Sequence, residues 1–253
     1  AEGMLAGLGT PADEAGRARV AAVRAMNLHV GLDRTEQADE LLRATITGLT
    51  DQPARARLVA RQALLRVLGG APDAALDLAA QAPEEPEARV ATGLALVFSG
   101  RPRAGVAALS ELQWPDDAPW LAVLADLGVV HGHLWTGGIA EADRRARAAY
   151  RRALVSRWPF GMAVSCLLGG LVACLRGRPR EETQRCREGV AVAREHGPAG
   201  LLAILLGQLA HGLALSGETT AAARALAEAD RLVASSMCLL TPWLELARTW
   251  VVA

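Results

Sequence analysis

The sequence predicts an all-α protein built as a right-handed superhelical array of antiparallel helix pairs, about six pairs followed by one further helix. The main observation is a glycine, alone or doubled, that closes an apolar stretch every 30 to 40 residues, at Gly31, Gly70, Gly100, Gly137, Gly177 and Gly217. This spacing is typical of a repeated helix-turn-helix unit. The alternating apolar and polar pattern of β-strands between turn residues is missing.

A second series of residues marks where the helices begin. Six prolines precede or start the apolar member of a pair, where the fixed φ of proline suits a first helical turn. They are Pro53, Pro86, Pro119, Pro159, Pro198 and Pro242. The two series together predict helix pairs at 13–31 with 34–49, 54–69 with 72–81, 86–100 with 103–112, 119–136 with 139–155, 159–176 with 179–196 and 198–216 with 219–235, and a lone helix at 242–252. Acidic residues open helices such as 139–155 and arginines follow, which complements the helix dipole.

Small residues recur where the two helices of each pair would cross. The chain resembles the tetratricopeptide repeat, whose unit keeps small residues seven before, five after and twelve after its turn glycine. Counted from the last five glycines, the rule selects Ala63, Ala75, Ala82, Gly93, Gly105, Leu112, Val130, Ala142, Ala149, Gly170, Glu182, Gly189, Ala210, Ala222 and Ala229. Twelve of these fifteen are Gly or Ala. The unit at Gly31 fits poorly, with Glu36 and Arg43 at its later small positions.

The resemblance also implies which residues face a concave groove, because in this family the first helix of each pair lines it. These positions are mostly apolar here, so the lysines, arginines and asparagines that clamp a peptide carboxylate in some members are missing. The candidate ligand-binding residues are Leu94, Phe98, Leu127, His131, Trp135, Leu171 and His211. Any pocket is expected in the region 114–158, near Trp114, Trp120 and Trp158. The alternative is a tightly wound array in which the same positions are ordinary core.

Composition excludes several kinds of chemistry. The 27 basic residues are all arginine, so a P-loop lysine, a Schiff-base lysine or a Ser/Lys pair is impossible in this sequence. The four cysteines form no CxxC pair, and His131 and His133 point in opposite directions on a helix, so no metal site is expected. No HExxH, GxSxG or paired-carboxylate motif is present. We therefore expect neither catalytic residues nor a cofactor, and no enzymatic activity.

The charges favour a solvated outer face. The stretch 140–190 is rich in arginine, but the chain has no net charge and few aromatic residues, so no direct contact with nucleic acid is expected. No apolar run is long enough for a membrane span, and the cysteine pattern suits a reducing compartment. We expect a cytoplasmic protein.

The whole chain, residues 1–253, is predicted to form a single helical-repeat domain. We expect it to be a piece of a longer protein. Trp243 and Trp250 lie seven residues apart on the last helix, on one face with Leu246 and Ala247. That apolar face is expected to pack against a following helix and to be exposed in its absence.

Three segments, 138–146, 215–226 and 242–250, resemble the repeat region of large ATP-binding, LuxR-type (maltose-regulator-like) transcriptional activators. This resemblance implies effector sensing and control of assembly. Our first hypothesis is a sensor domain that binds an apolar small molecule or a protein partner in its groove and controls self-association. The second is a scaffold that joins protein partners, or an oligomerisation domain, without a small-molecule ligand.

Overall fold

The computed structural model describes residues 13–112, 119–232 and 235–252, and all the regular structure in these ranges is helical. The α-helices are α1 (Glu14–Met26), α2 (Thr35–Thr47), α3 (Gln52–Leu68), α4 (Pro72–Ala79), α5 (Pro86–Phe98), α6 (Pro102–Ser110), α7 (Pro119–Trp135), α8 (Ile139–Ser156), α9 (Pro159–Leu175), α10 (Pro179–His196), α11 (Ala199–Leu215), α12 (Thr219–Arg231) and α13 (Thr241–Val252). A π-helical turn (Asn27–Gly31) continues α1, and a 3-10 segment (Ser235–Leu240) precedes α13. The predicted fold class is confirmed.

Five of the six turn glycines adopt the backbone conformation that makes a glycine necessary. Gly70, Gly100, Gly137, Gly177 and Gly217 have φ values between +65° and +84°. The residue after each one donates its N–H to a carbonyl five positions earlier, as Ala71 does to Arg66 over 2.9 Å. This is the Schellman arrangement, which ends one helix and directs the chain into its partner.

The first turn departs from the prediction. Gly31 lies at the end of the π turn, in which Leu32 donates to the carbonyl of Asn27 over 2.9 Å. The left-handed residue of this turn is Asp33, with φ of 54°. The first pair therefore has its own geometry, consistent with its poor match to the repeat pattern.

Small residues bring the paired helices into close contact. A Cβ atom on Gly105 of α6 would lie 2.6 Å from the carbonyl oxygen of Gly93 on α5, and one on Gly93 would lie 2.4 Å from Cγ of Leu109. Leucine fills the space around these crossings, since every one of the largest fully buried side chains is a leucine. The core of the array is thus built mainly from Leu, Ala and Val, with Gly at the crossings.

Residues 235–252, called here the C-terminal segment, do not continue the stack of pairs. Helix α13 packs mainly on α11, the first helix of the preceding pair, and only slightly on α12. The 3-10 segment contacts α3 and the π turn of the first pair. The segment therefore crosses the face that the first helices share and connects the two ends of the array.

Candidate ligand-binding site on the concave face

Hydrogen bonds to the first pair hold the start of the C-terminal segment in place. Nε2 of the buried His29 lies 3.2 Å from the carbonyl oxygen of Ser236, to which it donates. The backbone N–H of Ser236 donates to Oδ1 of Asp33 over 2.8 Å. Burial lowers the pKa of His29, so its ring is neutral and holds Ser236 without carrying a charge.

A second anchor lies at the middle of the array. His131, which is fully buried, bonds through Nδ1 to the carbonyl oxygen of Leu127 over 2.7 Å. Its Nε2 receives the indole N–H of Trp243 over 3.0 Å. A carbonyl accepts and an indole donates, so the proton of His131 resides on Nδ1. Burial lowers the pKa of His131 to about 4, which keeps Nε2 free to accept.

The two tryptophans of α13 meet two histidines that occupy the same repeat position. His131 and His211 each lie six residues before a turn glycine. The ring centroids of Trp243 and His131 are 5.9 Å apart, and those of Trp250 and His211 are 6.1 Å apart. The expectation that this face of α13 would be exposed was wrong for Trp243 and Ala247, which are buried, because the chain's own concave face covers them. Trp250 stays 48% exposed.

The residues predicted to bind a ligand fall into two groups. Leu94, Leu127 and Leu171 are buried in the core, while His131 and His211 are occupied by the contacts described above and by Glu182. Phe98 and Trp135 remain partly or largely exposed, with ring centroids 5.0 Å apart, and line a cavity of about 440 Å³ together with Trp243 and Leu246 of the C-terminal segment. Ligand binding by any of the seven stays a prediction.

A larger apolar cavity lies between the C-terminal segment, helices α1 and α3, and the starts of α7 and α9. Its volume is about 490 Å³, and we call it the N-terminal pocket. It is lined by Val23, Met26, Asn27, Val30, Gly31, Arg61, Leu68, Trp120, Leu124, Trp158, Phe160 and Met237. Trp120 and Trp158 belong to the region in which a pocket was expected, whereas Trp114 falls outside the described residues.

The charge at the edge of this pocket is already neutralised. Arg61 donates from Nε and Nη2 to the two carboxylate oxygens of Glu87, over 2.5 and 2.6 Å, and from Nη1 to the carbonyl of Ala22. Its guanidinium also lies 4.9 Å from the ring centre of Trp120. Such a paired arginine gives the wall rigidity and leaves the pocket suited to apolar groups.

The sequence matches no protein-family model and has no significant match among curated proteins. Similar solved structures exist at low sequence identity. Rap protein, in its complex with competence and sporulation factor, aligns with a TM-score of 0.72 at 12% identity, over 98% of this chain and 79% of that chain. A tetratricopeptide repeat protein from Parabacteroides merdae aligns with a TM-score of 0.57 at 15% identity, over 92% of this chain and 84% of that chain.

The chain has a tetratricopeptide-repeat-like fold. The comparisons thus support the repeat architecture and give no support to the LuxR-type context. Among the described residues, none of the helices is both long and apolar enough to span a membrane.

The walls of the N-terminal pocket that come from α1 and the C-terminal segment were not predicted from the sequence. In the repeat family, positions ten and six residues before the turn glycine face the groove; counted from Gly31 these are Ala21 and Ala25, which are buried in the core. The π turn shifts the register of the first pair, and Val23, Met26 and Val30 line the pocket instead. Met237 reaches it through a contact between distant parts of the chain, which no local pattern announces.

Most arginines of the outer helices α8 and α10 form ion pairs with acidic side chains. Asp126 of α7 is buried and accepts from Arg145 over 2.6 Å and from Arg152, both on α8. Burial raises the pKa of Asp126, although both arginines oppose this effect. These charges therefore join helices within a repeat.

Proposed function

We propose that the protein is a regulatory binding domain whose concave face takes up a peptide segment with bulky apolar side chains. The observation that carries the proposal is the C-terminal segment itself, which lies on that face and leaves the N-terminal pocket open beside it. The segment already shows which chemistry fits: Met237 lines the pocket, and Trp243 docks on a histidine further along.

The pocket has the properties of a specific site for apolar groups. A volume of about 490 Å³ lies within the range of ligand pockets, and its walls combine three aromatic rings with aliphatic side chains. Because Arg61 is paired with Glu87, its charge offers little to an acidic ligand. That Rap protein has been solved in complex with competence and sporulation factor supports a binding role for a fold of this kind.

Uptake of a ligand would act on the rest of the molecule through the C-terminal segment. Met237 belongs both to the pocket wall and to the 3-10 segment that leads into α13. A ligand that binds more tightly when this segment is in one position shifts the equilibrium between the segment's positions toward that one. The size of the shift is set by the difference between the ligand's affinities for the two positions. We propose that this shift controls assembly of the protein, as part of a transcriptional regulator of the LuxR type, and that the domain has no catalytic role. The sequence resemblance supports this part.

A second candidate function is a scaffold that binds protein partners without an effector. The observation that favours it is the coverage of the middle of the concave face by α13, with Trp243 and Ala247 buried. A partner would then bind the exposed outer surface, and no ligand would enter the N-terminal pocket.

A thermal-stability screen separates the two candidates. Apolar peptides, and apolar small molecules in a parallel arm, are added to the purified protein, and a true ligand raises Tm as its concentration exceeds Kd. Val23→Trp places a bulky ring at the pocket rim, where Val23 is 54% exposed, and should abolish the shift. Val155→Trp, at a residue that is 87% exposed and outside the pocket lining, is the matched control and should keep it. Peptides that give no shift, or an equal shift in both variants, contradict the peptide proposal.

A further inference from the structure

Three potential metal ligands converge near the turn between α9 and α10. Cys174 lies in the last turn of α9, Glu182 in the first turn of α10, and His211 on α11. One ligand atom from each residue lies within 4.8 Å of the other two. Sγ of Cys174 is 3.8 Å from Nδ1 of His211, which is 2.9 Å from Oε1 of Glu182.

Glu182 is anomalous at its place in the repeat. It stands at the crossing position five residues after the turn glycine, where the other repeats place Ala75, Gly105, Ala142 and Ala222. Its side chain is fully buried, and its second carboxylate oxygen, Oε2, has no hydrogen-bond partner. A buried, unsatisfied carboxylate oxygen is costly, so a charged group at a helix crossing calls for a partner.

A second buried polar group lies one turn from His211. Gln208 of α11 is fully buried, and neither its amide oxygen nor its amide nitrogen has a hydrogen-bond partner. Native proteins leave few buried polar atoms without partners. The unpartnered polar atoms of Glu182 and Gln208 distinguish this part of the array from the apolar helix crossings of the other repeats.

From this geometry we propose that Cys174, Glu182 and His211 bind a divalent cation, with Zn²⁺ the best fit. Sulfur, imidazole nitrogen and carboxylate oxygen together are a ligand set that Zn²⁺ accepts. Tetrahedral bonds of the usual lengths place such ligand atoms roughly 3.3–3.6 Å apart. The Cys174–His211 distance of 3.8 Å lies about 0.2 Å above this range, and the Glu182–His211 distance needs an opening of about half an ångström, with Oε2 as an alternative ligand atom.

Binding would follow a simple proton balance. Without a cation, burial raises the pKa of the Cys174 thiol to about 12 and also raises that of Glu182. The cation takes the thiolate, and the thiol proton leaves to solvent. The proton held between Nδ1 of His211 and Oε1 of Glu182 moves to Nε2 of the ring, so that both atoms can bind the cation. Three protein ligands leave a fourth coordination position, which water or a donor from a partner would fill. The ring of Trp250 on α13 contacts His211. A cation bound to His211 would therefore also hold in place the surface on which α13 packs.

Cobalt binding tests the proposal directly. Metal-free protein is titrated with Co²⁺, which takes zinc sites and gives a thiolate-to-metal charge-transfer band when cysteine is a ligand. We expect one Co²⁺ per chain, this band, and its loss when Zn²⁺ displaces the Co²⁺. Cys174→Ser should abolish the band, whereas Cys238→Ser, at a half-buried cysteine outside the cluster, should keep it.

Zn²⁺ binding by equilibrium dialysis provides the second readout. Glu182→Gln should weaken binding by at least about tenfold, and His211→Asn by a similar factor. Far-ultraviolet circular dichroism on each variant shows whether its helices remain. If Glu182→Gln or His211→Asn unfolds because the substituted side chain is buried, the half-buried Cys174→Ser still tests the site. A folded wild-type protein that binds less than one Zn²⁺ per chain, or a band that survives in Cys174→Ser, overturns the proposal and leaves a simple Glu182–His211 hydrogen bond.

Discussion

The indole N–H of Trp243 donates to Nε2 of His131 across 3.0 Å, linking the last helix to the middle of the array. The other ring nitrogen of His131 is used by the carbonyl of Leu127, so every polar atom of this buried histidine has a partner. His131 has no freedom left for an external ligand while Trp243 is in place. The concave face is thereby closed at its centre by the chain itself.

Trp243→Phe should destabilise the protein by about 1–3 kcal/mol. Phenylalanine keeps most of the apolar contact but leaves the buried Nε2 of His131 without a donor. Urea unfolding followed by circular dichroism measures the change. Trp250→Phe, on the same face of α13 but 48% exposed, is the control and should cost clearly less. Equal effects at both positions would count against the anchoring role of Trp243.

The contribution of His131 should depend on pH in a predictable direction. Its pKa is about 4 in the folded protein and about 6.5 when exposed, so the unfolded state takes up a proton first as the pH falls. The stability owed to the neutral ring is complete above about pH 6.5 and is lost progressively toward pH 4. Between about pH 7 and pH 5, the stability of the wild type relative to His131→Asn should fall by about 2 kcal/mol. The exposed His196, as His196→Asn, should show no comparable change.

Two glycine substitutions should separate helix crossing from turn conformation. Gly105→Ala would place its Cβ 2.6 Å from the carbonyl oxygen of Gly93, a backbone atom that cannot move without separating α5 from α6. Gly100→Ala meets nothing within 4 Å and carries only the strain of a positive φ of 84°. Thermal unfolding should show a loss of about 3 kcal/mol or more for the first and about 1–2 kcal/mol for the second. The reverse order would refute the crossing assigned to Gly105.

The parts of this structure that follow from local rules could be predicted. Turn glycines, proline starts and small crossing residues each act within one helix pair, and helices such as Pro119–Trp135 and Ile139–Ser156 begin and end within a residue or so of the expected positions. The contact between Trp243 and His131 could not be predicted in this way, because the two residues are 112 positions apart in the sequence. The same holds for Met237 in the N-terminal pocket.

The cluster at Glu182 gave a partial signal. An acidic residue at a position that demands a small one was visible in the sequence, and Glu182 was among the three exceptions to the rule. Its partners Cys174 and His211 come from different helices, so their convergence depends on how α9, α10 and α11 pack. Gly212 makes this packing possible, since a Cβ there would lie 2.8 Å from Oγ1 of Thr183.

An engineered disulfide shows whether residues 235–252 lie on the concave face. A Cβ on residue 70 would lie 3.1 Å from the Cβ of Cys238, about 0.4 Å below the usual range of Cβ separations in a disulfide, so a small shift of the C-terminal segment allows the bond. Under mild oxidation, Gly70→Cys should form a disulfide with Cys238, detected by peptide mapping. Gly100→Cys shares the same positive φ but has nothing within 4 Å, and should not. The absence of a 70–238 disulfide in the folded variant would contradict the placement of the C-terminal segment, and with it the position of Met237 in the N-terminal pocket.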